Sequence, residues 1–273
     1  MMSHSSTRRI DKQLVAMRFS GSRGTYGSEA SVQLQIAGKM MRLLTEALIA
    51  EGVARNDVPT YFRNIVEFGC GTGAYSRILL RELRPQTMLL NDLCREMEEC
   101  VGDLCSHNPC IRFLPGDAEE LDFPEGTDLI TSCSALQWFD SPRDFFTKCH
   151  RALPPNGMLA FSTFGTENMR EIRHLTGQGL DYAPIEELQA FLESGFDILH
   201  AGEEIVKLSF PHPMEVLRHL KQTGVTGAGN VTWTRGKLFD FCERYIGDFS
   251  VPGGVFLSYH PIYIIAKRKD KSL

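Results

Sequence analysis

No two cysteines of this 273-residue chain form a C-x-x-C pair, and no histidine run accompanies the eight at 70, 94, 100, 105, 110, 133, 149 and 242. The stretch from Cys94 to Cys110 lacks zinc-finger spacing, so the reading is free thiols and no metal. A basic excess is also missing. The formal net charge of -5 argues against a general nucleic-acid binder, while leaving room for a local basic patch toward an acidic partner. No apolar run is long enough to span a bilayer, and Met1 to Arg9 has no apolar stretch behind its charges, as a signal peptide would. A cytoplasmic location and a monomer are expected. Internal repeats and long linkers are absent as well. What remains is ordinary for a globular chain, 42% hydrophobic and 23% charged, enough for one large core or a core plus a lid.

The chain is organised around Val66-Glu67-Phe68-Gly69-Cys70-Gly71-Thr72-Gly73-Ala74-Tyr75. A short apolar run, Ile65 to Phe68, reads as a buried strand with one acid in it, and Ser76 to Leu80 has helical character. A strand that turns through glycines into a helix lets a ligand approach bare backbone beside a helix N-terminus. Gly69-x-Gly71-x-x-Ala74 also fits the dinucleotide fingerprint, so a dehydrogenase is open at this point.

Ile65–Phe68, Met88–Asn91, Ile111–Leu114, Leu129–Cys133 and Met158–Thr163 read as strands, with helical patterns such as Ser76–Leu83 and Arg143–Ala152 between them. That alternation predicts an α/β fold, a Rossmann-like and mostly parallel sheet flanked by helices. Residues 1–60 read as a helical segment closing a pocket, 61–163 as the α/β core, and 164–250 as cap helices with one core strand at about 203–210. Residues 251–273 are expected to complete the sheet as an antiparallel edge.

Ligands of such sheets bind beyond the carboxyl ends of the strands. Asp92 ends the second strand, where a carboxylate can accept from both ribose hydroxyls; it would equally cap a helix, and a ribose acid suits NAD too. Asp117, in Gly116-Asp117-Ala118, could accept an adenine amino group or make an Asx turn. Ser132-Cys133-Ser134 ends the fourth strand.

The form E-x-G-x-G-x-G, with Glu67 and Gly73, resembles motif I of the class I S-adenosylmethionine-dependent methyltransferases, as does Gly116 to Leu121. Ala135-Leu136-Gln137-Trp138-Phe139, Phe161-Ser162-Thr163-Phe164-Gly165 with Asn168-x-x-Glu171, Leu220-Lys221-x-Thr223-Gly224-Val225, Thr234-Arg235-Gly236 and Tyr259-His260-Pro261 resemble one family in particular. It is the malonyl-acyl-carrier-protein O-methyltransferase family of biotin biosynthesis, and the likeness runs from about residue 14 to 268. Two departures stand out: Glu67 replaces an aspartate, and Ser20-Gly21-Ser22 displaces the basic residue to Arg23. Some members also carry a fused hydrolase, which is not expected within these 273 residues.

The resemblance implies S-adenosylmethionine as cofactor, S-adenosylhomocysteine as product, and a site made of Glu67, Gly69, Cys70, Gly71, Gly73, Asp92, Leu93, Asp117, Ala118 and Cys133. It implies in-line methylation of the free carboxyl of a malonyl thioester on acyl-carrier protein, or on coenzyme A. A carboxylic acid of pKa near ~4 is already ionised at neutral pH, so no strong base is needed and alignment carries the rate. A bidentate salt bridge would occupy the attacking lone pairs, so single or neutral donors are expected: Tyr26, Gln137, Trp138, Lys221, Tyr259 and His260. Arg170, Arg173, Arg218 and Lys221 are the candidates for docking the acidic carrier. Two alternatives remain: a methyltransferase of small molecules such as quinones, and a non-catalytic binding module on the same scaffold.

Overall fold

The computed structural model describes residues 10–17, 19–20, 31–223 and 233–270. Helix α1 is described over 12–17 and 19–20, and α2 (Ser31–Ala50) follows. A short α3 (Val58–Tyr61) leads into β1 (Asn64–Phe68), α4 (Ala74–Leu83), β2 (Thr87–Asp92), α5 (Glu98–His107), β3 (Ile111–Pro115), β4 (Leu129–Cys133), α6 (Pro142–Ala152) and β5 (Met158–Phe164). Then come α7 (Arg170–Thr176), α8 (Ile185–Leu192), β6 (Phe196–Glu203), β7 (Val206–Phe210), α9 (Pro213–Gln222), α10 (Arg235–Phe249), β8 (Ser250–Val251), β9 (Gly254–Tyr259) and β10 (Pro261–Arg268).

Seven strands form the main sheet in the order β3-β2-β1-β4-β5-β10-β6. The first five pair in parallel, with Glu67 of β1 opposite Leu90 of β2 and Thr131 of β4. Strand β10 enters antiparallel beside β5, and β6 lies antiparallel beside β10. All seven residues of β5 are buried, as expected for a strand covered on both faces.

Because side chains alternate along a strand, the sheet builds two separate cores. Ile65, Leu129, Met158, Ala160, Tyr263 and Ile265 share one with Val32, Met40 and Leu44 of α2, Leu79 of α4 and Val101 of α5. Val66, Phe68, Ile130, Leu159, Phe161 and Ile264 share the other with Phe145 and Phe146 of α6 and Leu188 and Leu192 of α8. Helix α2 reaches the first core because Val32, Ile36, Met40, Leu44 and Leu48 recur four residues apart.

Three sequence expectations change here. The last strand of the main sheet is Phe196–Glu203, inside a stretch read as cap, and not the strand expected at 203–210. Val206–Phe210 joins β9 and β8 in a separate three-stranded sheet. Phe-Asp-Ile-Leu-His-Ala-Gly-Glu is an edge strand in which Phe196 alone is fully buried, so its apolar pattern is weak. Helix α8 likewise covers the sheet, through Leu188 and Leu192, and is not part of a cap. Helix α5 carried no helical expectation, since Val101 is its one fully buried residue.

Candidate cofactor and acceptor site

The loop after β1 turns on three glycines with φ of 64° (Gly69), 54° (Gly71) and 78° (Gly73), a region that L side chains rarely adopt. Beyond that shared demand, the three differ. A Cβ at 69 would collide with Cβ of Ala135, and one at 73 would lie 2.5 Å from Arg77 Nη1 and 2.8 Å from Val101 Cγ1. A Cβ at 71 meets nothing within 4 Å among the described residues. Gly71 therefore keeps a space open over the loop, while Gly73 lets α4 pack. Gly69 and Gly71 line the cleft and Gly73 does not, although Thr72 and Ala74 on either side of it do.

That cleft encloses roughly 1060 Å³ of space, part of it open to solvent, over the carboxyl ends of β1, β2 and β4. Glu67, Gly69, Cys70, Gly71, Asp92, Leu93, Asp117, Ala118 and Cys133 all line it. Asp92 receives the Gly71 N–H on Oδ2 and the Cys94 N–H on Oδ1, both at 2.8 Å. Burial pushes its pKa up, and these two N–H groups oppose that shift. Each oxygen keeps a further lone pair for an incoming hydroxyl. Asn91 donates from Nδ2 to the carbonyls of Leu114 and Gly116, both at 2.9 Å, and its buried Oδ1 has no partner among the described residues.

Glu67 is 1% exposed, and its Oε2 has no partner among the described residues. Burial pushes its pKa up to about 8, with the charge of Asp92 adding to the rise. Asp117 does make the Asx turn foreseen as its structural role, since Oδ1 accepts the Glu119 N–H at 2.9 Å. Its Oδ2 accepts from Lys12 Nζ at 2.6 Å.

Of the six residues expected around the acceptor, the five that are described do not converge. Trp138 lines the cleft, edge-on to Phe19 with centroids 5.7 Å apart, and its Nε1 is buried without a partner among the described residues. Gln137 turns away: Nε2 donates to Ser134 O at 2.6 Å and Oε1 accepts from Thr163 Oγ1 at 3.3 Å. It lines a smaller cavity, of about 340 Å³, together with Thr163, Asp181 and Tyr182. Tyr259 is fully buried, its hydroxyl 2.7 Å from His219 Nε2. His260 sits where β9 passes into β10; Nδ1 accepts the Glu167 N–H at 3.0 Å, so Nε2 donates to Glu203 at 3.0 Å. Lys221 is exposed near the end of α9. Tyr26 lies outside the described residues.

The three arginines among the docking candidates are engaged locally. Arg170 pairs with Glu167 at 3.0 Å and Glu171 at 3.4 Å, Arg218 pairs with Glu215 at 2.7 Å, and Arg173 donates to the Thr166 carbonyl. Within the segment expected to close the pocket, sequence reasoning did not single out the residues that line the cleft: Lys12, Val15, Ala16 and Phe19 of α1 with Gln33 and Ala37 of α2. It also missed Tyr75, whose hydroxyl lies 3.1 Å from Thr131 Oγ1; Ser134, at the strand end noted in the sequence, is held at a φ of 61°. The one available signal was the run Leu14 to Phe19 ahead of the first long helix.

A mostly parallel sheet with one antiparallel strand inserted at β10, and a cleft over a glycine turn and two strand-end acids, define a class I S-adenosylmethionine-dependent methyltransferase. The family described as a methyltransferase domain matches residues 66–161. The fold is shared with a candidate methyltransferase of Bacillus halodurans, at a TM-score of 0.60 and 15% identity, covering 85% of this chain and 97% of that one. A malonyl-acyl-carrier-protein O-methyltransferase of Bacteroides helcogenes is 62% identical over 274 residues, covering 96% of this chain and 100% of its own. One from Bacteroides fragilis is 56% identical over 259 residues and covers 94% of this chain, which spans only 51% of that longer relative. The chain belongs to the malonyl-acyl-carrier-protein O-methyltransferase family.

The methyl donor is S-adenosylmethionine, and the residues present fit it. The space beside Gly71, the spare lone pairs of Asp92, the unpartnered Asn91 Oδ1 and the unpartnered Glu67 Oε2 all border one cleft of suitable size.

Proposed function

We propose that this protein methylates the free carboxyl of malonyl-acyl-carrier protein, as a cytoplasmic monomer, producing the ester from which the pimeloyl chain of biotin is built. The reading is carried by the full-length relative that is 62% identical and bears that activity in its name. The chemistry of the cleft supports it. Among the described lining residues there is no histidine, and the one cation, Lys12, is tied to Asp117 and Glu119. A phenol or amine acceptor would call for a base, whereas a carboxylate arrives ionised.

Bound S-adenosylmethionine would supply an electrophilic methyl group on a sulfonium. Asp92 would hold its ribose, Asp117 its adenine, and Glu67 would set the charge beneath the sulfonium. Trp138 would offer one neutral N–H to the malonyl carboxylate, leaving a lone pair free to react. Phe19, Val15 and Ala16 would exclude water from above. The carrier protein would dock on α7 and α9 through Arg170, Arg173, Arg218 and Lys221. The arginine pairs are exposed enough to exchange one acid for another, at 43% for Arg170 and 64% for Arg218. No described helix is long and apolar enough to cross a membrane.

The test is to incubate the purified protein with S-adenosylmethionine and malonyl-acyl-carrier protein and to follow the carrier by mass spectrometry. The malonyl methyl ester should accumulate. A protein that binds the cofactor yet leaves malonyl thioesters untouched, while methylating a quinol, would belong to the small-molecule alternative.

A further inference from the structure

Glu119 knots the acidic end of the cleft. Its Oε1 accepts the Ser141 N–H at 2.7 Å and its Oε2 the Asp140 N–H at 2.8 Å, so the loop after β3 is tied to the loop after β4. From below, Lys148 donates to the carbonyls of Ala118 and Leu121. From above comes Lys12 of α1, 105 residues away from Asp117 in sequence. Its ammonium binds Glu119 Oε2 and lies 2.6 Å from Asp117 Oδ2 and 3.9 Å from Asp140 Oδ2. The Ile10 N–H adds a bond to Asp140 Oδ1 at 2.9 Å.

Three carboxylates thus crowd one end of a cleft that α1 roofs with Val15, Ala16 and Phe19. A single exposed ion pair contributes little. Here one ammonium meets three acids whose side chains are only 22%, 10% and 30% exposed. Burial disfavours that ammonium, but the bonds to Asp117 and Glu119 outweigh it and leave the pKa of Lys12 raised. The lysine therefore stays charged at any working pH. Asp117, after bonding Lys12 and the Glu119 N–H, still has a lone pair on each oxygen for an adenine amino group.

We propose that Lys12 is a positioning residue for the methyl donor: its ammonium fastens α1 across the cleft by joining Asp117, Glu119 and Asp140, so that closure over bound cofactor is electrostatic. This rests on the cofactor assignment above and is independent of which acceptor is methylated.

The test measures binding of S-adenosylhomocysteine by calorimetry, without acceptor, at about 0.05 M and about 0.5 M NaCl. Lys12→Met keeps the aliphatic stem, and Lys12→Arg keeps the charge. Of the two tryptophans in the chain, Trp233 is replaced by Phe in every variant, so Trp138 beneath Phe19 reports closure by its quenching with acrylamide. Lys12→Met should bind about tenfold more weakly, lose most of its salt dependence and expose Trp138 to quencher, while Lys12→Arg recovers most of the affinity. Equal affinity and equal salt dependence in Lys12→Met and the parent would overturn the proposal, even if the melting temperature fell. Should Lys12→Met fail to fold, the parent decides: affinity that does not weaken with salt overturns the proposal. A parent that bound no cofactor at all would overturn it together with the cofactor assignment.

Discussion

Asp92 and Gly71 are joined by a 2.8 Å hydrogen bond in which the glycine N–H donates to Oδ2 of the carboxylate. The acid at the end of β2 thereby shapes the very loop over which the cofactor lies. Replacing it removes the acceptor for two backbone donors, Gly71 and Cys94, and the expected partner of the ribose. Hydrogen bonds to a charged group contribute about 1.5–3 kcal/mol each, so Asp92→Ala should weaken cofactor binding by tenfold or more on that order of magnitude. Calorimetry with S-adenosylhomocysteine checks this, and an unchanged affinity would remove Asp92 from the ribose role.

Gly71 and Gly73 should separate affinity from stability. Both have positive φ, so alanine costs roughly 1–2 kcal/mol of strain at either position. At 73 the methyl also collides with Val101 and Arg77, and the total loss should reach about 2–4 kcal/mol. At 71 it enters open space inside the cleft, so the fold should survive while cofactor affinity drops. Denaturant titrations paired with binding measurements would show this order, and the reverse order would contradict the loop geometry.

Glu67 makes the affinity for the cofactor depend on pH. Its pKa is pushed up to about 8 by burial, so below that pH the empty cleft holds a protonated carboxyl. A sulfonium favours the ionised form and expels the proton, whereas the neutral sulfur of the product does not. Affinity for S-adenosylmethionine should therefore climb as pH rises toward about 8 and then level off, by less than about tenfold per unit, while affinity for S-adenosylhomocysteine stays nearly flat. Cys70, Tyr75 and Cys133 are pushed further up by burial and remain protonated over this range. Glu67→Gln should abolish the difference between the two curves. Parallel curves in the parent protein would sink this role for Glu67.

Trp138 and Gln137 are neighbours with different duties. Trp138→Phe keeps a ring against Phe19 but loses the N–H, and should lower kcat/KM for the malonyl thioester by about tenfold, with product binding unchanged. Gln137→Ala removes the bonds to Ser134 and Thr163 in the other cavity, so it should cost about 1 kcal/mol of stability and little turnover. Steady-state kinetics on both variants would distinguish the two, and equal losses of turnover would contradict the separation.

Much of this was legible because it depends on local pattern. Buried parallel strands such as Met158–Phe164 are continuous apolar runs, and a glycine turn between strand and helix is written in adjacent residues. The acid at 92 was legible from its place at a strand end. The Asx turn at Asp117 was foreseen alongside the ligand role. What could not be read is what depends on long-range pairing. Lys12 meets Asp117 and Glu119 across more than a hundred residues, and no periodicity announces such a contact. Gln137 and Trp138 are adjacent in sequence, yet the short 3-10 turn at Leu136–Trp138 sends them into separate cavities. Tyr259 and His260 were attractive as acceptor ligands, but their hydrogen-bonding groups are engaged by His219, Glu167 and Glu203. Edge strand β6 escaped because one side of it is wet, and its residues alternate too weakly to stand out.

The most direct measurement is the fate of a labelled methyl group. The protein would be given S-adenosylmethionine carrying an isotopic methyl, with malonyl-acyl-carrier protein and acetyl-acyl-carrier protein in separate reactions, and the carrier-bound thioesters would be analysed by mass spectrometry. Label should appear as an ester on the malonyl group and be absent from the acetyl carrier, which has no free carboxyl. Label on neither carrier, from protein that binds S-adenosylhomocysteine normally, would contradict methylation of the malonyl carboxyl.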